Sequence, residues 1–539
     1  MKVLKETNHD ATLRIGPFVP AIATGSNQKQ REKALMLALM SFDHQDTKVH
    51  DEIVSAGVIT VLMHCFERSA LDHEHGFRDV EPLCKLVGMC LRCSVEVRKN
   101  AMKTIGSDLL LLLLSLMLDR SPKISVETRS AVVLLLRQLP QSLPSLSELN
   151  RHMQLLRSLR QVIEDCDMKT DRHHIVEAIH LLSQISQDTE NKNMIARFPG
   201  LCDSIVSRTS DSVRKRCELN MEVAFLFQQL AMDARNRSIL ANHTQLIELL
   251  ILLMGDKRAE TQLKSVGALK LLILEAHTRK IVLKSSKKKL LKALQKALEV
   301  RELRLDATQM ITSMIISRKA AVELSNQSGL LKKFVAFSSQ NEEADLARTA
   351  SQTLKRIATH VPTDHESFGL LLDSIIQQAG SSDARVRYWA CSAFLAQSLV
   401  PGSSFYLARD HHVVGILAKV GLDDTSPQVK AVAVEVIHKL ASQEANIKRL
   451  ALNPLILDAL VNCAEQADED DSDNNSIAQA RRFAIQGILR LSSHRKYKRR
   501  LAKHFDLVKC LSTYAISHDE DKELKTAAIH GVLMLAPLM

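Results

Sequence analysis

The chain has 539 residues, more than one hydrophobic core can serve, because single cores stop growing at about 250–300 residues. It contains only 17 glycines, 12 prolines and 4% aromatic residues, which excludes a β-sandwich or β-barrel and favours long helices. The net charge of +11 is concentrated in residues 257–333, where 18 Lys or Arg face six Asp or Glu, and such a segment could attract an acidic protein, an anionic lipid or a nucleic acid.

The first part of the chain carries no targeting or membrane signal that we recognise. Residues 1–25 are assigned to an N-terminal extension, and Met1–Asp10 is too polar to begin a secretory signal. The apolar run Leu109–Leu118 is about ten residues long, whereas a membrane span needs about 20, so we expect one buried helix. Most of the ten cysteines lie in apolar helical patterns, which predicts free thiols in a reducing compartment, the cytoplasm or the nucleus.

A repeated pattern runs through residues 26–539. A short helix, a break containing Gly, Asn or Pro, a second helix, a polar loop and a longer Ala/Leu-rich helix follow one another. Three clear copies begin at Asn193, Asn236 and Asn446, and a fourth begins at Asp51. The predicted breaks lie near residues 56, 105, 152, 198, 242, 286, 327, 366, 410, 453 and 504. Most of these spacings approach the period of about 40–47 residues that is typical of HEAT and armadillo units.

The last helix of each unit has one apolar stripe. In 429–440, for example, apolar residues recur at i, i+3, i+4 and i+7, as in a helix with one buried face. No unit can bury this stripe alone, so stacking of neighbouring units is predicted. Within this stack, an acidic flexible loop is predicted at 466–477, because the run 468–475 cannot pack.

The three-helix unit with its Gly-containing break resembles the armadillo repeat family, most clearly in 190–360 and 405–537. The short segments near Gln229, Arg356, Lys439 and Met534, here called the closing tags, are similar to the end of that family's third helix. The resemblance implies an all-α solenoid, a right-handed superhelix of about eleven repeats whose third helices line a concave groove. HEAT-like two-helix units remain an alternative, above all before residue 190.

The resemblance also indicates which side chains face the groove. The family often places Asn just before the closing tag and Trp four residues earlier, but here the only Trp is Trp389, and its i+4 neighbour is Ala393. This departure disfavours a nuclear-import adaptor. The tag positions hold Gln138, Gln184, Gln229, Arg356, Lys439 and Arg490, and the positions four residues earlier include Phe225, Gln352, Glu435, Gln486 and His530. The candidate partner groove is Phe225, Gln229, Gln352, Arg356, Trp389, Lys439, Gln486 and Arg490.

Two basic patches are further candidates. One is Lys287, Lys288 and Lys289, placed in a predicted break before a helix, and the other is Arg495, Lys496, Lys498, Arg499 and Arg500. The second has the composition of a nuclear localisation patch. Both patches could equally be solvated cations, and those that follow a helix are favoured there by its dipole.

Catalytic and metal-binding patterns are missing from the sequence. There is no P-loop, no nucleophile elbow and no dinucleotide fingerprint. Cys90 and Cys93 form a CxxC pair without the second pair that a structural zinc site needs, so buried structural thiols are favoured. The segment 72–75 lacks the spacing of a helical zinc site, and His173–His174 and His411–His412 are expected at helix starts or turns. No cofactor is predicted.

We therefore expect a non-enzymatic protein–protein interaction scaffold that binds an extended acidic or phosphorylated segment in its groove. A transport or trafficking adaptor of the same fold is the alternative. RNA binding is disfavoured, because few aromatic residues accompany the basic charge. The oligomeric state stays open.

Overall fold

The computed structural model describes residues 77–93, 149–166, 172–212, 218–339, 343–400, 402–465, 474–516 and 522–536, and isolated positions before 149. Every regular element in these ranges is a helix, which confirms the all-α prediction. The chain divides into two compact units, Met1–Ala297 and Leu298–Met539. A single solenoid over 26–539 stays a prediction, as does the extension 1–25. The predicted breaks near 56 and 105, the segment 72–75 and Gln138 lie outside the described residues.

Unit 1 contains ten described helices. Two complete triplets are present, each a short first helix, a second helix and a longer third helix, and a long helix closes the unit. The helices are α1 (Phe77–Cys93), α2 (Leu149–Asp165), α3 (Arg172–Ile185), α4 (Thr189–Arg197), α5 (Leu201–Ser212), α6 (Glu218–Met232), α7 (Ala234–Asn242), α8 (Thr244–Leu253), α9 (Ala259–Leu274) and α10 (Ala276–Ala297). The third helices α3, α6 and α9 contact one another in succession.

Unit 2 continues the pattern with a short 3₁₀ turn and fifteen described helices. They are α11 (Arg304–Met314), α12 (Arg318–Ser325), α13 (Ser328–Ser338), α14 (Ala344–Ala358), α15 (Phe368–Ala379), α16 (Ala384–Ser398), α17 (Ser403–Arg409), α18 (His411–Asp423), α19 (Pro427–Ala441), α20 (Glu444–Leu452), α21 (Pro454–Glu465), α22 (Asn474–Ser492), α23 (Lys498–Leu501), α24 (Phe505–Ile516) and α25 (Lys522–Leu535). The third helices are α11, α14, α16, α19, α22 and α25, and each contacts the next. One continuous cluster of buried side chains runs from Ala358 to Leu535.

Seven of the predicted breaks, near residues 198, 242, 327, 366, 410, 453 and 504, fall between helices or at a helix end and are confirmed. Gly200 occupies the first of them with a positive φ of 72°, a conformation that glycine adopts without steric cost. His173–His174 and His411–His412 also lie at helix starts, as predicted.

Two predicted breaks are wrong. The positions near 152 and 286 lie inside α2 and α10, and neither helix contains the Gly or Pro that would favour an interruption. In α10 a buried row continues at i+4 spacing straight through the predicted break, at Thr278, Val282, Ser286, Leu290 and Leu294. The predicted loop 466–477 also ends early, because α22 begins at Asn474; residues 466–473 lie outside the described ranges.

Buried asparagines connect three of the third helices, α3, α6 and α19, to the short helices that follow them. The Nδ2 groups of Asn191, Asn236 and Asn446 donate to the main-chain oxygens six residues earlier at 3.1, 3.2 and 3.1 Å. These oxygens belong to the last turn of a third helix, where no intrahelical partner is available. This bond explains why Asn recurs in the repeat. In the first copy the bonded residue is Asn191, two positions before Asn193, where the sequence pattern places the start of that copy.

Polar links also connect successive third helices. In each link, a side chain in the first turns of one third helix donates a hydrogen bond to a carboxylate that lies just before the next third helix. The pairs are Asn220 with Asp256 at 2.8 Å, Arg348 with Asp383 at 2.8 Å, and Arg387 with Asp424 at 2.6 and 2.8 Å. Both members of the bidentate Arg387–Asp424 pair are largely shielded from solvent, so this link fixes α16 against the start of α19.

Neighbouring repeats approach closely where a side chain is missing. A Cβ atom added to Gly421 of α18 would lie 3.0 Å from the Ala459 Cβ atom of α21. We predict that Gly421→Val lowers the free energy of unfolding by about 1–3 kcal/mol, because the Ala459 methyl group cannot rotate away. Gly415→Val is the matched control on the same helix, since nothing lies within 4 Å of Gly415. Equal unfolding midpoints in guanidinium for the two variants would contradict the close approach.

The asparagine bond can be tested in the same way. In Asn446→Ala the carbonyls of Leu440 and Ser404 lose the Nδ2 donor, which bonds to them at 3.1 and 3.2 Å. We expect a loss of about 1–3 kcal/mol in the free energy of unfolding, because both acceptors stay buried. Asn242→Ala, which removes an exposed bond within one helix, should change it by less than about 0.5 kcal/mol. A destabilisation by Asn446→Ala no larger than that of the control would refute this role.

Candidate partner-binding face

The third helices of unit 2 expose one face, and six of the predicted groove residues lie on these helices. Gln352 and Arg356 lie on α14 and Trp389 on α16. Lys439 lies on α19, and Gln486 and Arg490 lie on α22. All are half-buried except Arg490, which is exposed. We call the surface formed by α14, α16, α19, α22 and α25 the third-helix face.

At one end of this face, the predicted residues are already engaged with the protein. The Arg356 Nη1 group donates to the Thr312 main-chain oxygen in the last turn of α11 at 2.7 Å. Its neighbour Lys355 places its ammonium group 4.6 Å from the centre of the Trp389 ring. Burial, reinforced by the Arg356 charge, lowers the pKa of Lys355. Arg356 therefore anchors α14 to α11, and Lys355 covers the one tryptophan.

At the other end, residues of α19, α22 and α25 line an open pocket of about 740 Å³. Gln486 and Arg490 of the predicted set line it, together with His530, which the tag alignment also indicated. Lys522 and Glu523 are among the other lining residues. Glu523 is paired with the Arg482 Nη2 group at 2.6 Å, which offsets part of its charge. The other charged side chains in the lining, Arg490 and Lys522, are cationic.

His438 forms a wall of this pocket and stacks on the Phe483 ring, with 5.9 Å between ring centres. Burial, together with the charges of Lys439 and Arg490, lowers the pKa of His438 to about 4, so the ring is neutral at pH 7. Burial also raises the pKa of Glu435, one turn earlier on α19, and the nearby Lys439 opposes this rise. The structure thus brings Lys439 and Arg490 close around one uncharged ring.

Phe225 and Gln229 lie in unit 1, on the third helix α6, so the predicted set is divided between the two units. Phe225 is half-buried, and the Lys264 ammonium group of α9 lies 5.0 Å from the centre of its ring. Towards α3, Glu222 of α6 pairs with the His180 Nδ1 atom at 3.1 Å. His180 also contacts Gln184, one of the tag residues, at 3.2 Å.

The two basic patches lie elsewhere. Lys287, Lys288 and Lys289 lie in the middle of α10, which corrects their placement in a break. Arg495 and Lys496 precede α23, and Lys498, Arg499 and Arg500 belong to it. Arg500 donates to the Leu452 main-chain oxygen at 3.3 Å. None of these eight residues lines the pocket beside His438.

The described residues provide no assembly for catalysis or metal binding that we can identify. No group of three or more His, Cys, Asp or Glu in them could hold a metal ion. Burial raises the pKa of Cys202 and Cys391 to about 12 and that of Cys463 to about 11, so these thiols are protonated and unreactive at pH 7. No described helix combines the length and apolar character needed to cross a bilayer. The side chains of Cys90 and Cys93 lie outside the described set.

Sequence reasoning missed Lys355, His438 and Lys522. Lys355 and His438 each immediately precede a tag residue. Inclusion of the position before each tag residue in the predicted groove would have found them. Lys522 opens α25, and only the packing of α25 beside α22 places it in the pocket. No pattern in the sequence indicates that contact.

The shifted pKa of His438 predicts a specific dependence of stability on pH. Because the folded-state pKa is about 4 and the unfolded value is near 6.5, the unfolded chain binds an extra proton between these values. Stability should therefore fall as the pH is lowered from 6.5 towards 4. We expect His438→Gln to show a smaller loss of melting temperature over this range than the wild type. His412→Gln, at the exposed start of α18, should keep the wild-type loss. Identical slopes for all three proteins would refute the prediction.

The comparisons with known proteins bear on the fold. No family model and no curated protein matches the sequence. Among solved structures, one from work on a phosphorylation switch that controls the interaction between cadherin and beta-catenin matches with a TM-score of 0.58 and 14% identity, over 96% of this chain and 100% of that chain. The crystal structure of Uso1-2 matches with a TM-score of 0.53 and 12% identity, over 100% of this chain and 98% of that chain. The triplet helices and these likenesses show an armadillo-like helical-repeat fold, an all-α solenoid.

Proposed function

We propose that this chain is a non-enzymatic protein–protein interaction scaffold, and that the third-helix face of unit 2 binds an extended acidic or phosphorylated segment of a partner protein. The observation that carries the proposal is the pocket beside His438, where Arg490 and Lys522 line a space of about 740 Å³. The proposed function requires neither a cofactor nor a metal.

The charges in the pocket favour an anionic guest. Arg490 is exposed and forms no ion pair with any described residue, so its guanidinium group is available for a carboxylate or phosphate, which it can bind with two parallel hydrogen bonds. Lys439, one helix away, adds a second positive charge. The pairing of Glu523 with Arg482 reduces the repulsion between this carboxylate and an anionic guest. A basic segment would meet repulsion here.

The dimensions favour an extended guest. Packed helices lie about 8–10 Å apart, so the four steps from α14 to α25 span roughly 36 Å. An extended chain covers about 3.3 Å per residue, so about eleven residues would pass across all five third helices. Such a segment would meet Lys355 first, then Lys439, and finally Arg490 and Lys522.

The same face argues against the alternatives. A nuclear-import adaptor would need Trp and Asn arrays, but Trp389 is covered by Lys355, and Ala393 is fully buried. Single-stranded RNA would need exposed aromatic rings for stacking, and here Trp389 and Phe483 are already occupied by Lys355 and His438. The solved structure concerned with cadherin and beta-catenin is of a phosphorylation-controlled protein interaction, which supports a protein partner. Buried free thiols support a reducing compartment, cytoplasmic or nuclear.

A binding experiment with charge reversal tests the proposal. We expect Lys439→Glu with Arg490→Glu to weaken binding of a twelve-residue Asp/Glu/phosphoserine peptide at least tenfold, since each reversal replaces attraction by repulsion. Fluorescence anisotropy of the labelled peptide measures the affinity, with a Lys-rich peptide of equal length as the ligand control.

The matched protein control is Lys419→Glu with Lys448→Glu, which makes the same charge change on α18 and α20 of the same repeats. Equal weakening by the two double variants would show that only net charge matters, and the third-helix face would then be the wrong site. Affinity purification with the same two baits, followed by mass spectrometry, should recover different partners. Recovery of identical partners would also overturn the assignment.

A further inference from the structure

Helix α10 differs from the rest of the solenoid in length and charge. It covers 22 residues and contains eight Lys or Arg and no Asp or Glu. It contacts α7, α8 and α9, so a single helix takes the place of the separate first and second helices of a repeat. It lies in unit 1 and shares no residue with the third-helix face of unit 2.

The basic side chains of α10 form an ordered row. The buried residues recur every four positions, from Thr278 to Leu294. Five exposed lysines recur with the same period two residues later, so each lies about 200° around the helix from a residue of the buried row and points away from it. They are Lys280, Lys284, Lys288, Lys292 and Lys296. The rise of about 1.5 Å per residue places neighbouring lysines about 6 Å apart along the axis and the outer two about 24 Å apart.

An apolar groove lies beside the C-terminal half of this row. It has a volume of about 340 Å³ and is formed by α8 and α10. Ile251, Leu252, Met254 and Ala293 supply its apolar surface, and the Leu252 side chain is 57% exposed. Lys289, Lys292 and Lys296 form its rim, where Glu248 pairs with Lys289 at 2.7 Å. The five lysines of the row form no ion pair with any described residue.

We infer that α10 and the adjoining groove form a second binding site, which takes an acidic amphipathic helix of a partner protein. Carboxylates at i, i+4 on such a helix recur about every 6 Å, the spacing of the lysine row. An apolar side chain of the same helix would fill the groove and cover Leu252. This is the helix-in-groove mode of recognition, with charge selecting the partner and an apolar anchor fixing its position.

The surface is less suited to the other anionic partners. No Phe, Tyr or Trp lines the groove or belongs to α10, so the large aromatic rings on which bases of a single-stranded RNA stack are missing from this surface. A membrane-binding surface needs apolar side chains that protrude into the lipid, whereas the apolar surface here is concave and would receive a side chain. Both partners are included as arms of the test.

The experiment uses the full chain and a labelled 18-residue amidated helical peptide with Glu at every fourth position and one Leu face. Its control is a peptide of the same composition in scrambled order. We expect Lys284→Gln with Lys288→Gln and Lys292→Gln to weaken binding of the ordered peptide at least fivefold at low salt. Lys419→Gln with Lys448→Gln and Lys509→Gln makes the same charge change at exposed positions elsewhere, and it should change affinity less than twofold.

A second variant separates the apolar anchor from the charge. Leu252→Ser should weaken binding of the ordered peptide about threefold, and this effect should persist at high salt. The effect of the lysine variant on binding should fade at high salt, because salt screens charge. Circular dichroism and unfolding midpoints check that both variants fold, and Leu252→Ser alters a largely exposed side chain.

Three outcomes would overturn the inference. The first is equal binding of the ordered and scrambled peptides, and the second is equal weakening of binding by the α10 triple variant and its control. The third is a lysine-dependent affinity for oligouridine, or for vesicles with 30% phosphatidylserine, that exceeds the affinity for the peptide. The inference is independent of the proposed function of unit 2. The Lys439→Glu, Arg490→Glu variant should bind the ordered peptide with wild-type affinity, and the α10 triple variant should bind the phosphoserine peptide with wild-type affinity. Failure of either proposed site can therefore be recognised separately.

Discussion

The structure depends on the burial of one third helix against the next. A helix such as α19 has a buried row on its inner side and lies between α16 and α22, so it cannot exclude water from its apolar side chains without both neighbours. Polar contacts then fix the stacking. Buried asparagines close the ends of third helices, and pairs such as Arg387 with Asp424 connect one third helix to the start of the next. Within unit 2 the core is therefore continuous from Ala358 to Leu535 and is not concentrated at one centre.

This stacking also sets the chemistry of the exposed surface. A third helix flanked by two others leaves a narrow strip open, so several ionisable groups on it are half-buried, and the pKa values of Lys355, Glu435 and His438 are shifted. Burial and the Arg356 charge lower the pKa of Lys355, and His438 stays neutral beside Lys439 and Arg490. Cations placed in this way are held in position by the protein and are incompletely satisfied by it, a combination that suits recognition of an anionic segment. The lysine row of α10 differs, because it is fully solvated and depends on an apolar groove for specificity.

The sequence patterns predicted the helices well and the boundaries between them less well. Breaks were correct where Gly, Asn or Pro interrupts the apolar period, as at Gly200 and Asn453, because these residues change the local backbone preference. They were wrong near 152 and 286, where a constant period was assumed but the chain continues as one helix. Asn was noticed as a repeat marker, yet its role became clear only from the bond between Asn446 and Leu440. Arg356 and Arg490 looked equivalent in the tags, but the first caps α11 and the second is exposed.

The sequence by itself determined the all-helical class, the repeat period and the faces of the helices, because these follow from local propensity and from the spacing of apolar residues. It also located the excess positive charge in 257–333. Only the tertiary structure decided which charges meet. Three features each join residues that are far apart in sequence: the pocket of His438, Arg490 and Lys522, the cover of Trp389 by Lys355, and the groove between α8 and α10. Such contacts arise from the angle and separation of packed helices, which depend on side-chain shapes on both sides of an interface and have no period along the chain.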